Sequence, residues 1–223
     1  MTSCILLPAY NEAATIEKIL KDIKVKGIAA IVVDDGSKDG TGDIAQKCGA
    51  KVIRHYANLG KGASIKEGFN FLLEKTDHDS IIIMDADGQH LVEDCDNFIK
   101  KVSEGEDMII VGNRMGYTKN MPFIRLATNK FMSFLLSLLC KQNIPDTQCG
   151  FRLLTRGVVE KLSIKSSNFD TESEMLIDAS RKGVKISSVP IKTIYGEEKS
   201  EIHPMKDTIR FFVLILKSIF TKK

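Results

Sequence analysis

Short apolar runs alternate with amphipathic stretches through the first half of the chain. Five runs are short and rich in branched residues, as buried strands are: Ile5–Leu7, Ile31–Val33, Val52–Ile53, Ile81–Ile83 and Met108–Val111. Helices are predicted between them over Glu12–Lys24, Gly42–Cys48, Gly62–Lys75 and Leu91–Val102, with Thr41 as the N-cap of the second. Strict alternation of strand and helix predicts an α/β fold with an open, mostly parallel sheet flanked by helices.

The second half of the chain changes character. The predicted elements are helices over Phe123–Lys141 and Glu172–Lys182, strands over Val184–Ser188 and Ile191–Ile194, and a polar loop over Gly196–His203. An apolar and basic helix is expected to begin at Pro204. We therefore expect one domain over residues 1–203, followed by a C-terminal helix over residues 204–223.

Composition and charge narrow the class of protein. A chain of 223 residues with 43% hydrophobic and 27% charged residues suits one soluble globular domain with a sizeable core. The net charge of +3 is too small to indicate nucleic-acid binding. Five cysteines without a CxxC pair predict neither a disulfide framework nor a zinc site, and favour a reducing cytoplasm. We see no signal peptide, and no stretch of the roughly 18 to 20 apolar residues that a membrane span needs.

Two carboxylates follow the fourth predicted strand, in the segment Asp85–His90. Mg²⁺ and Mn²⁺ prefer oxygen ligands, often one or two carboxylates together with substrate phosphates. A lone Asp-x-Asp is more often a solvated turn, but the position of Asp85 and Asp87 after a buried strand favours a metal site. A calcium loop is excluded because Gly88 is misplaced and no glutamate closes the loop.

Polar segments also follow the first, second and fifth strands, at Pro8–Glu12, Asp34–Ser37 and Gly112–Arg114. Ligands of open α/β sheets bind beyond the carboxyl ends of the strands, so we expect these segments to converge on one crevice. The carboxylates of Asp34 and Asp35 suit hydrogen bonds to a nucleobase or ribose, or a turn with a helix cap, and both interpretations can hold. Asn58–Gly62 suggests a phosphate cradle with Lys61, although this signal is weak by itself.

Taken together, five ordered segments resemble the family 2 glycosyltransferases. They are Pro8–Glu12, Val33–Ser37, Asn58–Gly62, Asp85–Gln89 and Gln148–Arg152. The chain is most similar to the dolichyl-phosphate mannosyltransferase and polyprenyl-phosphate glycosyltransferase branch. The resemblance implies a GT-A fold, a GDP- or UDP-sugar donor, an Mg²⁺ or Mn²⁺ ion and inversion at the anomeric carbon.

The resemblance also implies roles for single residues in binding the donor and the metal. The nucleotide-binding positions are matched by Pro8, Tyr10, Glu12, Asp34 and Asp35, and further donor contacts are expected from Lys61, Asp85 and Ala86. The metal-binding segment is matched by Asp85, Asp87 and Gln89, of which Asp87 and Gln89 are the more direct ligands. Gly196–Ser200 lies where the family has a mobile loop near the donor diphosphate, which makes Lys199 a candidate donor contact.

The acceptor side is expected to be cationic. A lipid phosphate needs no general base, because a phosphate monoester with a second pKa of about 6 is mostly dianionic at neutral pH. Arg114, Arg125 and Arg152 are therefore candidate catalytic residues beside Asp87, and the competing interpretation of Arg152 is an ion pair with Asp146. With an alcohol acceptor, one of three acids would be the base, and otherwise they are helix N-terminal acids: Asp170, Glu172 and Glu174.

Two apolar helical stretches with basic neighbours, Phe123–Lys141 and Thr208–Phe220, favour peripheral attachment to a membrane, although either alone suits core packing. The predicted function is transfer of a hexose, with mannose or glucose favoured, from a GDP- or UDP-sugar to a polyprenyl or dolichyl phosphate. The alternatives are transfer to a saccharide hydroxyl in cell-surface polysaccharide synthesis and, more remotely, a non-catalytic nucleotide-sugar-binding protein. The sequence gives no indication of the oligomeric state.

Overall fold

One seven-stranded sheet organises the part of the chain that the structure describes. The structure is a computed structural model that describes residues 1–102, 106–118, 121–166, 170–192, 194 and 215. The strands are β1 Ser3–Ala9, β2 Ala29–Asp34, β3 Lys51–Arg54, β4 Ser80–Ile83, β5 Met108–Asn113, β6 Arg152–Thr155 and β7 Lys185–Pro190. The helices are α1 Ile16–Val25, α2 Thr41–Lys47, α3 Lys61–Lys75, α4 Cys95–Lys101, α5 Phe123–Cys140, α6 Arg156–Lys161 and α7 Thr171–Arg181.

The strand order is β3-β2-β1-β4-β6-β5-β7, and only β6 pairs antiparallel with its neighbours. This confirms the predicted mostly parallel α/β sheet. The chain leaves β1 toward β2 on one side and later adds β4 on the other, so the strand order reverses at β1. In open α/β sheets this reversal opens a crevice at the carboxyl edge. Because β6 runs against the other strands, its amino end lies at the same edge.

The core explains why these segments form strands and helices. The central strands are buried on both faces, and all residues of β4 and β6 are buried. Helix α1 buries Ile16, Ile19, Leu20 and Ile23, which recur at helical spacing on one face. Each such side chain contributes about 1.5–3 kcal/mol on leaving water, so the sheet and its helices hold the crevice in place.

Several predicted boundaries and elements are wrong. Helix α1 begins at Ile16 rather than Glu12, because the carbonyl of Glu12 accepts from Thr15 N and Ile16 N in a preceding turn. The N-cap of α2 is Gly40, with φ of 90°, and not Thr41. Strand β6 and helix α6 are not among the predicted elements, and the predicted helix over Leu91–Val102 is a 3-10 turn, Val92–Asp94, followed by α4.

The predicted strand over Ile191–Ile194 is also wrong among the described residues, which are 191, 192 and 194. After β7 the chain instead hydrogen-bonds to the ends of other segments, from Ile191 N to Asn113 O and from Ile194 N to Gln89 O. The predicted helix of residues 204–223 and the predicted donor contact Lys199 lie outside the described residues. Ile215 is the exception within that helix; it is helical and packs against the core.

Helix α5 corrects the prediction that no segment is long and apolar enough to cross a membrane. It has 18 residues and a mean hydropathy of 1.3, and 22% of it is buried. By length and composition alone, it qualifies as a membrane span. Its exposed apolar side chains are Phe123, Ile124, Phe131, Phe134 and Leu138.

Candidate active site

The segments after β1 and β4 lie side by side at the point where the strand order reverses. The hydroxyl of Thr15 joins them by donating to Ala86 O at 2.6 Å, and it also contacts Oε2 of Glu12 at 3.2 Å. Pro8, at the end of β1, and Tyr10, just beyond it, are half-buried at this edge. The predicted convergence of Pro8–Glu12 with Asp85–Ala86 is therefore present.

A buried ammonium group lies between two carboxylates at this edge. Lys61 Nζ is 2.5 Å from Asp85 Oδ1 and 2.7 Å from Glu172 Oε1. The three side chains are only 17%, 26% and 13% exposed, respectively. They come from the first residue of α3, the segment after β4 and the first turn of α7, so three separate elements meet in this triad, Lys61–Asp85–Glu172.

The pKa values within the triad follow from competition between burial and charge. Burial by itself lowers the pKa of Lys61, but the carboxylates of Asp85 and Glu172 outweigh it and raise that pKa above its ordinary value. Burial likewise opposes ionisation of Asp85, whereas Lys61 and His90 hold the pKa of its carboxyl well below the usual range. Both groups are therefore charged at neutral pH.

Two buried groups support the triad from behind. The side chain of Arg152 is fully buried and donates to the carbonyls of Glu172, Cys149 and Thr147 at 2.6, 2.8 and 2.8 Å. Its Nη2 is 3.9 Å from Glu172 Oε2. His90 stacks on Phe151 with ring centroids 5.0 Å apart, and its Nε2 is 3.7 Å from Asp85 Oδ2.

Asp87 differs from Asp85 because no cation among the described residues forms an ion pair with it. Burial, followed by the nearby charge of Asp85, raises the pKa of Asp87 above its ordinary value. One of its oxygens accepts from Gln89 N at 2.9 Å. Among the described residues, no group of three or more His, Cys, Asp or Glu side chains is arranged to hold a metal. The pair Asp85 and Asp87 fits an ion that takes one or two carboxylates and completes its shell with phosphates and water.

The carboxylates of Asp34 and Asp35 are buried and accept hydrogen bonds from backbone amides. Asp35 accepts from Leu59 N and Gly60 N, both at 2.8 Å, and from His55 Nδ1 at 2.7 Å. Asp34 accepts from Ser37 N at 2.9 Å. The structure thus bears out the turn-forming interpretation of this segment, and the contact with a nucleobase or ribose stays a prediction. Through these hydrogen bonds to the amides of Leu59 and Gly60, Asp35 also holds the start of α3 in position, and with it the backbone of Lys61.

The predicted arginines of the acceptor side lie in different surroundings. Arg114 binds Asp146 through Nε at 2.7 Å and Nη2 at 2.8 Å, in a buried bidentate pair. The proposed ion pair between Arg152 and Asp146 is therefore wrong, because Asp146 pairs with Arg114 and all three nitrogens of Arg152 bind carbonyls. Arg125 lies half-buried in the first turn of α5. Its role, like that of Arg114, stays a prediction.

Glu172 and His90 are the members of this cluster that the sequence analysis did not assign to the site. Glu172 was considered as a base or as a helix N-terminal acid, and its place in the first turn of α7 is consistent with the second interpretation. Nothing in the local pattern shows that this turn meets Lys61. The position of His90 directly after Asp85–Gln89 is the sequence signal that could have included it.

Comparison with known proteins agrees with this geometry. The sequence profile described as "Glycosyl transferase family 2" matches residues 4–163. An uncharacterized protein of Methanocaldococcus jannaschii is 39% identical over 86% of this chain and 82% of its own length. The UDP-N-acetylglucosamine–dolichyl-phosphate N-acetylglucosaminyltransferase of Methanococcus voltae is 31% identical over 86% of each chain. The polyprenol monophosphomannose synthase of Mycolicibacterium smegmatis is 28% identical over 84% of this chain and 75% of its own length.

Solved structures show the same fold. Mannosyl-3-phosphoglycerate synthase of Rubrobacter xylanophilus superposes with a TM-score of 0.74 at 18% identity, over 98% of this chain and 72% of its own. Glucosyl-3-phosphoglycerate synthase of Mycobacterium tuberculosis, solved with Mn²⁺ and UDP-glucose, gives a TM-score of 0.72 at 20% identity, over 97% and 78%. These likenesses confirm the predicted GT-A fold.

Proposed function

As a member of glycosyl transferase family 2, this chain is a glycosyltransferase, and we propose that it transfers a hexose from a GDP- or UDP-sugar to a polyprenyl or dolichyl phosphate. The observation that carries this proposal is the charged cluster at the strand reversal, where Asp85 and Asp87 lie beside the ammonium of Lys61. The M. voltae and M. smegmatis relatives, whose names specify dolichyl phosphate and polyprenol monophosphomannose, support the lipid acceptor.

On the donor side, Asp85, Asp87 and Gln89 would hold Mg²⁺ or Mn²⁺, which would neutralise charge on the departing nucleotide diphosphate. Lys61 contacts Asp85 and would bind diphosphate oxygens. Pro8, Tyr10 and Glu12 line the neighbouring strand end and would contact the nucleotide. The M. tuberculosis enzyme that shares the fold was solved with Mn²⁺ and UDP-glucose, which supports this arrangement.

On the acceptor side, we expect a basic segment of the chain to bind the phosphate. Every charged residue between Asp107 and Asp146 is basic, and Arg125 at the start of α5 belongs to this stretch. Such a stretch would anchor a phosphate dianion and leave its oxygen free to attack the anomeric carbon without a general base. Arg114 would act from its buried pair with Asp146, by fixing the segment after β5.

The acceptor lipid places the reaction at a bilayer, and we propose that α5 provides the contact. Its exposed apolar side chains Phe131, Phe134 and Leu138 recur at helical spacing on one face, with Lys130 and Lys141 beside them. This surface is apolar and basic, which complements an anionic lipid surface.

The membrane contact is tested by flotation with vesicles of anionic phosphatidylglycerol or neutral phosphatidylcholine. We expect the protein to float with the anionic vesicles and the double variant Phe134→Ser/Leu138→Ser to stay at the bottom. The matched control is Val25→Ser, an exposed apolar residue at the end of α1, which should float as the parent does. A parent protein that floats with neither vesicle contradicts the contact.

The transfer itself is tested with radiolabelled UDP-glucose, UDP-N-acetylglucosamine and GDP-mannose, supplied with polyprenyl phosphate and Mn²⁺. We expect one donor to give a butanol-extractable product. Asp87→Ala should lower the rate at least about a hundredfold, because losing the metal costs several kcal/mol of charge stabilisation. The exposed control Asp77→Ala should retain full activity. Label transferred to a saccharide, with none in the butanol phase, would replace the lipid acceptor by a sugar hydroxyl.

A further inference from the structure

The ammonium of Lys61 forms an ion pair with Asp85, one of the carboxylates that are expected to bind the metal. Lys61 Nζ contacts Asp85 Oδ1 at 2.5 Å, closer than its 2.7 Å contact with Glu172 Oε1. The backbone of Lys61 is held in place, because Asp35 binds the amide of the preceding Gly60 at 2.8 Å. Lys61 and the metal therefore compete for the same negative charge.

A charge count shows how this competition changes with the ligand. The cluster contains the cations Lys61 and Arg152 and the carboxylates Asp85, Asp87 and Glu172, which gives 2 − 3 = −1. A divalent ion alone would bring the cluster to +1 and would lie within a few ångströms of the ammonium, where like charges repel strongly. A sugar-nucleotide diphosphate, with about two negative charges, would return the cluster to −1 and would offer Lys61 a new anionic partner.

We propose that the ammonium of Lys61 forms an ion pair with Asp85 in the donor-free enzyme and moves to the diphosphate when metal and donor bind together. In this proposal, which rests on the proposed donor chemistry, Glu172 is a positioning residue. It keeps the ammonium within reach of both Asp85 and the diphosphate, and it attracts the ammonium partly away from Asp85. Arg152 in turn holds Glu172 through a side-chain contact of 3.9 Å and a backbone hydrogen bond of 2.6 Å.

The device makes metal and donor binding cooperative. The metal alone binds weakly because the ammonium of Lys61 repels it. The donor removes this repulsion when its diphosphate binds the ammonium. By reciprocity, the metal strengthens donor binding by the same factor. A purely structural salt bridge predicts no such coupling, and its loss would weaken both ligands alike.

The test measures two ligands separately on the whole chain. Free Mn²⁺ is followed by its electron paramagnetic resonance signal, and binding of UDP and of GDP by calorimetry with and without Mn²⁺; the nucleotide that the parent binds, written here as UDP, is used for the variants. Lys61→Met should tighten binding of Mn²⁺ alone about tenfold while weakening UDP about tenfold, because one positive charge is removed within a few ångströms of both. Glu172→Gln should lower the affinity for Mn²⁺ in the absence of UDP, because the charge of Lys61 then neutralises Asp85 only. The exposed neighbours on α3 provide matched controls, Lys75→Met and Glu74→Gln, which should change neither constant.

The decisive result is the loss, in Lys61→Met, of the coupling between Mn²⁺ and UDP that the parent shows. A folded Lys61→Met protein that binds Mn²⁺ no tighter than the parent overturns the proposal. Lys61→Gln, which keeps a hydrogen-bond donor between the carboxylates, gives the same comparison if the methionine variant does not fold. Should the parent bind neither Mn²⁺ nor either of UDP and GDP, the donor chemistry itself fails. Should the parent bind both and transfer sugar while the variants leave Mn²⁺ affinity unchanged, only the role of Lys61 and Glu172 fails.

Discussion

Gly150 shows how a single residue determines the geometry of the site. A Cβ atom at this position would lie 2.6 Å from Asp85 Oδ2 and 3.0 Å from Lys61 Nζ. A side chain at this position would therefore force the side chains of Asp85 and Lys61 to shift, and glycine lets the chain before β6 approach the triad without that displacement. The glycine of the segment Gln148–Arg152 is needed for the close approach of its backbone to charged side chains.

We accordingly predict that Gly150→Ala displaces the carboxylate of Asp85. Mn²⁺-dependent UDP binding and sugar transfer should both fall at least about tenfold, since a misplaced ligand loses more than 1.4 kcal/mol of metal contact. Calorimetry and the transfer assay measure the two effects. Gly116→Ala is the control, because nothing lies within 4 Å of a Cβ atom there. Equal behaviour of the two variants would contradict the close-approach argument.

At the scale of elements, α3 is held at both ends. Asp35 binds the amides of Leu59 and Gly60 just before its first residue. At the other end, the guanidinium of Arg156 donates to four carbonyl groups, those of Leu72 and Leu73 in the last turn and those of Thr76 and His78 beyond it, at 2.7–3.2 Å. These contacts satisfy carbonyls that a helix end leaves without partners, and they hold α3 on α6. The helix therefore presents Lys61 from a rigid support.

Removing the C-terminal restraint should cost stability and leave ligand affinity largely intact. We predict that Arg156→Ala lowers the free energy of unfolding by about 1–3 kcal/mol, because several carbonyls lose their donor in a partly buried place. Urea unfolding measures this loss. Arg54→Ala removes an exposed ion pair with Asp43 and should cost less than about 1 kcal/mol. If both variants lose the same amount, the carbonyl contacts of Arg156 contribute little.

At the scale of the whole molecule, one continuous core encloses most of the thiols. All five cysteines are free, and four of them are buried: Cys4, Cys95, Cys140 and Cys149. Burial raises the pKa of Cys4, Cys95 and Cys149 to about 12, and it raises the pKa of Cys140 as well. Since the thiolate is the reactive form, these four groups are protected as long as the sheet and its helices stay packed.

We therefore predict that the folded chain has one thiol that reacts readily at pH 8, the half-buried Cys48. A pKa near 12 leaves Cys4, Cys95 and Cys149 with a negligible thiolate fraction at this pH, and burial also protects Cys140. Unfolding should release all five thiols together. Titration with Ellman's reagent before and after adding guanidinium counts them, and peptide mass spectrometry locates the first. Rapid labelling of a core cysteine such as Cys149 in the native protein would contradict the continuous core.

The first five strands, the presence of helices between them and the acidic segment after β4 follow from the sequence by itself. Each of these features depends on a local pattern, because periodic burial determines strand or helix and a strand end determines where polar residues lie. The five spaced segments of the resemblance, from Pro8 to Arg152, indicated the family for the same reason: each motif is contiguous in the chain.

Only the tertiary structure decided which distant side chains meet. The antiparallel insertion of β6, the pairing of Arg114 rather than Arg152 with Asp146, and the triad Lys61–Asp85–Glu172 all join segments far apart in the chain. A local sequence pattern does not contain such contacts, because they form only when the folded sheet brings these segments to the same edge. Burial at that edge then strengthens the Coulomb interactions between the charged groups. The sequence therefore supplied the chemical groups, and the packing of three separate elements determined which charges neutralise each other.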